Sequence, residues 1–306
     1  TEAMGVDVAP KCRSCLNCEE CKARYTNITW TQNKELGWIE NGLKLDVINK
    51  RWTASYVYKT DPCVLENNFL AARAQHRNLV KRLVKNGEFE GFNAAMQEAI
   101  DRGVYSLETQ EEKEYSGPKF YVSLVPAYKD SESTPLRVCV NTSQTYKGMS
   151  VNQCLVQGPS GLNKLFDINL RFRQYPEVLL ADVSKFYNCV HSDPYDMQLR
   201  RILWNADPGS EPLVYLTRVV MFGDTPGGIT TMTALRMTAD IYRHYGPEAA
   251  DKLKRDSYAD DIPSGGLSRA DCEKIYQDMV RIIAEGGFSF KGVTYSKSDV
   301  GPTRVL

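Results

Sequence analysis

The chain is poor in histidine and has no apolar run long enough to cross a bilayer. Its three histidines, His76, His191 and His244, are scattered through charged or polar sequence, so a catalytic triad or a zinc-hydrolase site has little to build on. No stretch approaches the roughly 18 to 20 apolar residues of a membrane span, and the N-terminus lacks the basic-then-apolar order of a signal peptide, which predicts a soluble chain. Also missing are G-x-G-x-x-G, the P-loop, the G-x-S-x-G elbow and H-E-x-x-H. The nearest approach to the D-[ST]-G of an aspartic protease is Asp224-Thr225-Pro226, with proline where the flexible glycine belongs. Net charge is absent too: 38 Lys plus Arg balance 38 Asp plus Glu. Any polyanion would have to be held by a local basic patch rather than by the field of the whole molecule.

What is present is a chain of 306 residues, 42% hydrophobic and 25% charged, enough for a packed core and long enough to favour two subdomains. It begins at Thr1, which reads as a segment of something larger. Of nine cysteines, Cys12, Cys15, Cys18 and Cys21 form C-x2-C-x2-C-x2-C, too tight for a secreted disulfide framework and better suited to a reducing compartment. They supply the ligand count of a four-thiolate structural Zn²⁺ site, with an iron–sulfur cluster or free thiols in a linker as the alternatives. The other five, Cys63, Cys139, Cys154, Cys189 and Cys272, read as small buried hydrophobes.

Residues 1 to 40 read as an irregular or metal-stapled extension. From Asn67 to Arg102 the period is helical, with Phe69, Leu70, Ala74, Val80, Leu83 and Val84 on one face, a stop at Gly87 and a second helix over Phe92 to Ile100. Arg73, Arg77, Lys81 and Lys85 recur every four residues, a stripe that either tracks phosphates or is a solvated face. Lys119 to Pro126 and Leu136 to Val140 predict a β-hairpin, Val178 to Val183 a strand, and Pro194 to Trp204 a helix. A glycine-rich bend at Gly223 to Gly228 opens a long helix through Tyr245, another helix covers Arg269 to Glu285, and a hairpin-like region ends the chain.

Two acidic features carry the chemistry. In Leu179-Leu180-Ala181-Asp182-Val183 one acid ends an apolar strand, and in Tyr258-Ala259-Asp260-Asp261-Ile262 two adjacent acids sit where a strand turns back. Near such a turn Asp260 and Asp261 can face the same site as Asp182. Carboxylates that repel one another are costly unless a divalent cation neutralises them, and Mg²⁺ prefers oxygen ligands. A Y-x-D-D pattern by itself is more often an acidic surface turn.

Together these runs resemble motifs A and C of reverse transcriptases, over about residues 118 to 306. The run Arg137 to Ser143, the segment Gly148 to Pro159, Leu170 to Arg173, Phe222-Gly223, Gly286-Gly287-Phe288, and Gly5 to Val8 before the cysteine cluster are similar to the Pao/BEL group of long-terminal-repeat retrotransposons. The resemblance implies an α+β fold, the fingers and palm of a right-hand polymerase with an antiparallel palm sheet backed by helices and a Cys-rich N-terminal extension. The divisions would be 1–40 extension, 41–117 helical segment, 118–176 fingers, 177–191 palm, 192–220 fingers and connecting helix, and 221–306 palm. It implies RNA-directed DNA polymerisation with two Mg²⁺ ions on Asp182, Asp260 and Asp261. Arg137 and Lys129 would clamp the triphosphate, Tyr187 exclude a 2′-hydroxyl, Phe222 and Gly223 meet nucleotide and template, and Lys291 protonate pyrophosphate. Expected partners are an RNA or DNA template-primer, dNTPs, and the downstream thumb, RNase H and integrase parts of a polyprotein, because Thr303-Arg304-Val305-Leu306 looks like the start of motif E. The expected location is a retroelement particle in the cytoplasm, without a membrane. Thr225-Pro226-Gly227-Gly228 departs from the Ser-Pro of many relatives. The rival reading is a catalytically inactive nucleic-acid-binding scaffold derived from such an element.

Overall fold

Helices and antiparallel sheets share the chain. The computed structural model describes residues 29–128 and 136–296. In chain order the elements are α1 (Trp30–Gly42), β1 (Leu43–Asp46), β2 (Arg51–Ala54), α2 (Phe69–Lys85), α3 (Phe89–Asp101), β3 (Tyr105–Leu107), α4 (Gln110–Glu114), β4 (Ser123–Tyr128), β5 (Leu136–Asn141), α5 (Val151–Cys154) and α6 (Leu165–Phe172). There follow β6 (Glu177–Val183), β7 (Val190–Ser192), α7 (Pro194–Gln198), β8 (Arg201–Trp204), β9 (Leu213–Thr217), α8 (Gly227–Ile241), α9 (Pro247–Arg255), β10 (Asp261–Gly266), α10 (Arg269–Ala284) and β11 (Phe290–Tyr295). β4 pairs with β5, β9 with both β3 and β8, and β6 with both β10 and β11, all antiparallel. Small antiparallel sheets with separate helices define the α+β class, as the sequence predicted. Among the described residues no helix is long and apolar enough to cross a membrane.

Two compact units divide the chain. The first takes the described residues up to Lys44, then Thr53–Ser160 and His191–Thr230; the second takes Leu45–Trp52, Gly161–Val190 and the described residues from Thr231 onward.

In the first unit α2 buries Ala72, His76, Leu79, Val80 and Leu83, a stripe at helical spacing that differs from the predicted one: Leu70 is 77% exposed and Val84 is also exposed. Within its core the Trp204 ring meets Phe89, stacked at 5.5 Å, Phe92 at 4.9 Å and His76, edge-on at 6.0 Å. Burial there holds the His76 imidazole below its usual range. Trp204 ends β8, where the sequence predicted helix. The helix stops after Gln198, and Arg201-Ile202-Leu203-Trp204 is buried at every position and paired with β9, which suits β-branched and aromatic side chains covered on both faces. Arg201 is tolerated inside because its guanidinium meets Glu108 at 2.7 Å and also donates to the Glu112 carbonyl. α1 is a further correction, since residues 30 to 40 are not irregular. Thr29 and Gln32 close a capping box, with bonds of 3.2 and 2.9 Å, and so start a helix. Cys63 is exposed rather than buried, whereas Cys154 and Cys272 are buried as expected.

In the second unit β6 lies between β10 and β11. Leu179, Ala181 and Val183 are buried along it while Leu180 and Asp182 are less so, the two-residue alternation of a sheet with one covered face. α10 lies over the buried side through Cys272, with Tyr276 packed against the same cluster. Among the described residues β11 pairs with β6, at the edge of that sheet, and with no strand next to it in sequence.

Candidate active site

The alternation that buries Ala181 and Val183 puts Asp182 on the other face of β6, near its C-terminal end. Its Cα partner on β10 is Asp261, and directly paired residues present side chains to the same face. The chain reaches Asp261 through a two-residue turn: Tyr258 N–H donates to the Asp261 carbonyl at 2.7 Å, and Asp261 N–H returns the bond at 3.1 Å. Ala259 takes a φ of 54° in that turn, a conformation that costs an alanine energy. The Asp260 carbonyl accepts from the Val183 N–H at 2.8 Å. Backbone bonds alone therefore fix all three acids at one end of this sheet.

Their electrostatics are those of like charges in company. Burial comes first in raising the Asp261 carboxyl above its usual range, followed by the negative charges of Asp260 and Asp182. An all-oxygen donor set under mutual repulsion fits a hard divalent cation. Among the described residues no group of three or more His, Cys, Asp or Glu side chains is already closed around one point. The carboxylates are neighbours, not a finished cage.

On its other side Asp182 faces Gly292 of β11, where a Cβ would meet nothing within 4 Å. The register slips between Phe290 and Gly292, so Lys291 is the extra residue of a bulge beside the partner of Asp182, and it is exposed. Tyr187 lies in the single 3-10 turn Phe186–Cys189 that follows β6, its ring edge-on to Phe186 at 5.7 Å. Burial, then the charge of Asp260, raises its phenol.

Asp182, Asp260, Asp261, Tyr187 and Lys291 all belong to the second unit, whereas Arg137, Phe222 and Gly223 belong to the first. Arg137 is exposed on β5, paired with Ala127 of β4. Phe222 is 70% exposed, and Gly223 has a φ of 106°, which glycine adopts without strain. Lys129 and the cluster Cys12, Cys15, Cys18 and Cys21 lie outside the described residues. The basic stripe on α2 is partly used up, because Arg73 and Arg77 both bond Glu211, at 3.1 and 2.9 Å.

Sequence reasoning missed a buried polar network in the first unit. Arg200 and Asp224, 1% and 0% exposed in their side chains, form an ion pair; Tyr56 Oη donates to Asp224 at 2.7 Å and Arg200 donates to Ser192 Oγ at 2.7 Å. Asp196 accepts from the Tyr56 N–H at 2.8 Å and from the Tyr58 hydroxyl. The available signal was Arg200-Arg201 running straight into Ile202-Leu203-Trp204, a charge pair with no room to be solvated.

No family model matches the chain, and no curated protein matches it. Among solved structures the chain is similar to a foamy viral protease-reverse transcriptase dRH in complex with ds DNA, at TM-score 0.47 and 14% identity, over 64% of this chain and 30% of that one. It is also similar to a foamy viral protease-reverse transcriptase in complex with an RNA/DNA hybrid, at TM-score 0.45 and 14% identity, over 64% of this chain and 22% of that one. The chain thus spans less than a third of either structure's length, and likenesses this slight carry no argument about function.

Proposed function

We propose that the chain is the fingers and palm portion of a Pao/BEL-type reverse transcriptase, adding dNTPs to a primer 3′-hydroxyl on a nucleic-acid template. The observation that carries this reading is the pairing of Asp182 with Asp261 across β6 and β10, with Asp260 in the turn that leads into β10. The rest comes from the motif resemblance. Two Mg²⁺ ions held by these carboxylates would supply activation of the primer hydroxyl and stabilisation of the leaving pyrophosphate.

The chain's own groups then have simple tasks. Asp182, Asp260 and Asp261 hold the ions and, by their spacing on the sheet, set where the reacting oxygens lie. Tyr187 excludes a 2′-hydroxyl by bulk, which selects dNTPs. Arg137, with Lys129 as its companion, offers planar and point-charge donors to triphosphate oxygens. Phe222 and Gly223 present a ring and a close backbone approach to nucleotide and template. Lys291 donates a proton to the departing pyrophosphate. A retroelement particle in the cytoplasm would supply template, primer and the downstream thumb, RNase H and integrase parts, and Cys12, Cys15, Cys18 and Cys21 would bind a structural Zn²⁺.

The test is primer extension by this chain joined to its downstream thumb, on an RNA template with a DNA primer, dNTPs and Mg²⁺, beside Asp260→Asn. Extension that disappears in the variant supports the reading. A folded wild-type chain that binds primer-template without extending it would overturn it in favour of a nucleic-acid-binding scaffold.

A further inference from the structure

The exposed turn that carries Phe222 and Gly223 is gripped from two sides within the first unit. On the buried side Asp224 is paired with Arg200, and it accepts from Tyr56 Oη at 2.7 Å and from the Met221 N–H at 3.2 Å. On the open side the Gly223 carbonyl accepts two hydrogen bonds, from Thr142 Oγ1 at 2.7 Å and from Asn152 Nδ2 at 2.8 Å. The same Asn152 amide accepts the Thr225 N–H on Oδ1 at 3.0 Å and donates to Ser143 Oγ at 2.9 Å. Both ends of one side-chain amide are thus spent on the backbone on either side of Asp224, an arrangement that needs a donor and an acceptor on one short stem.

The anchors are themselves fixed. Thr142 is buried and follows directly on β5, the strand that carries Arg137. Asn152 sits in α5, whose start is closed by a capping box between Ser150 and Gln153. Without these bonds, a turn containing a glycine at positive φ would have many conformations open to it. With them, the Gly223 carbonyl has one direction and the Phe222 ring one root.

We propose that Asn152, with Thr142, is a positioning residue that locks the Phe222–Gly223 turn to the end of β5, so that nucleotide meets a turn already ordered. Pre-ordering of this kind strengthens binding without touching the reacting atoms. The identity of the ligand as a dNTP rests on the polymerase reading; the clamp itself does not.

Two readouts keep these apart: backbone hydrogen exchange across residues 222–225 of the full chain, and KM against kcat for dNTP in primer extension by the chain joined to its downstream thumb. Asn152→Ala and Thr142→Val remove the clamp, while Thr142→Ser keeps the hydroxyl. The expected result is faster exchange confined to the turn in the first two variants, a dNTP KM raised about tenfold with kcat much less changed, as for the loss of roughly one hydrogen bond's worth of affinity, and wild-type behaviour in Thr142→Ser. Unchanged exchange in the turn would overturn the clamp. Faster exchange with an unchanged KM would overturn its role in nucleotide positioning. A folded wild-type chain that extends no primer when joined to its downstream thumb would overturn the polymerase reading and the nucleotide role with it, while the exchange data still decide the clamp. If Asn152→Ala does not fold, the Thr142→Val and Thr142→Ser pair decides both points.

Discussion

Asp224 and Asp196 in the first unit are buried and answered from within the chain, by Arg200, Tyr56, Tyr58 and backbone N–H groups. Asp261 in the second unit has other carboxylates as the neighbours that act on it, and burial and those like charges all push its carboxyl the same way. Both groups are acidic, and a count of acids would not separate them. The first is an internal structural network, in which Asp224 is paired with Arg200 and Asp196 is hydrogen-bonded by Tyr56 and Tyr58 before any ligand arrives. The second keeps charge at an accessible sheet end at a cost that a cation from outside would remove, which is the arrangement a metal-dependent site requires.

The largest expected effect tests the first half of that contrast. Asp224→Ala strands the Arg200 guanidinium in the interior, and a loss of about 3 to 5 kcal/mol is expected in urea unfolding; a loss under about 1 kcal/mol would mean that the network is not a support. In the second unit the sign should reverse. Asp182→Asn or Asp261→Asn removes repulsion across the β6–β10 pair, so stability should hold or rise by up to about 1 kcal/mol. A clear destabilisation by either would erase the distinction between the two acid groups.

Acidity sharpens the comparison within the first unit. Burial pushes the Asp196 carboxyl up from 3.8 to about 6, against the opposing pull of Arg200, the Tyr58 hydroxyl and the Tyr56 N–H, with Asp193 adding to the rise. Because the folded state holds this proton more tightly than the unfolded chain does, the contribution is fully present below pH ~4 and is lost as pH rises toward ~6. Thermal melts should show the wild type losing stability over that interval relative to Asp196→Asn; parallel curves would refute the shift. The smallest effect belongs to the turn. Ala259→Gly relieves the positive φ but loosens the unfolded chain, so melts should move by no more than about 1 kcal/mol in either direction, and Ala259→Val should be the worse variant.

Much of the local architecture was legible because it is written in short range. Gly87 separates α2 from α3, the alternation around Asp182 makes a strand, and Tyr258 to Asp261 turns back on itself. β8 was not legible, since Pro194 and the residues after it start a helix and only burial against α2 and β9 converts Arg201 to Trp204 into a strand. The position of β11 was hidden for the same reason: its partner β6 lies more than a hundred residues earlier, and register across such a gap is decided by packing. α1 was missed although its Thr29 and Gln32 signature is local, because the cysteine cluster before it drew the whole segment into one irregular reading. At the candidate site the three acids stood out in the sequence. The side chains that grip Gly223 and Asp224 did not, because Thr142, Asn152 and Arg200 fall outside any periodic pattern and their use depends on a turn far along the chain.

The central claim is that the acids of the second unit await a cation. Calorimetric titration of the full chain with Mg²⁺, beside Asp182→Ala and with folding checked by circular dichroism, tests it most directly. The account predicts binding in the wild type that the substitution abolishes or weakens at least tenfold, a change of about 1.4 kcal/mol. Absence of Mg²⁺ binding in the wild type, or equal binding by the two proteins, would contradict it.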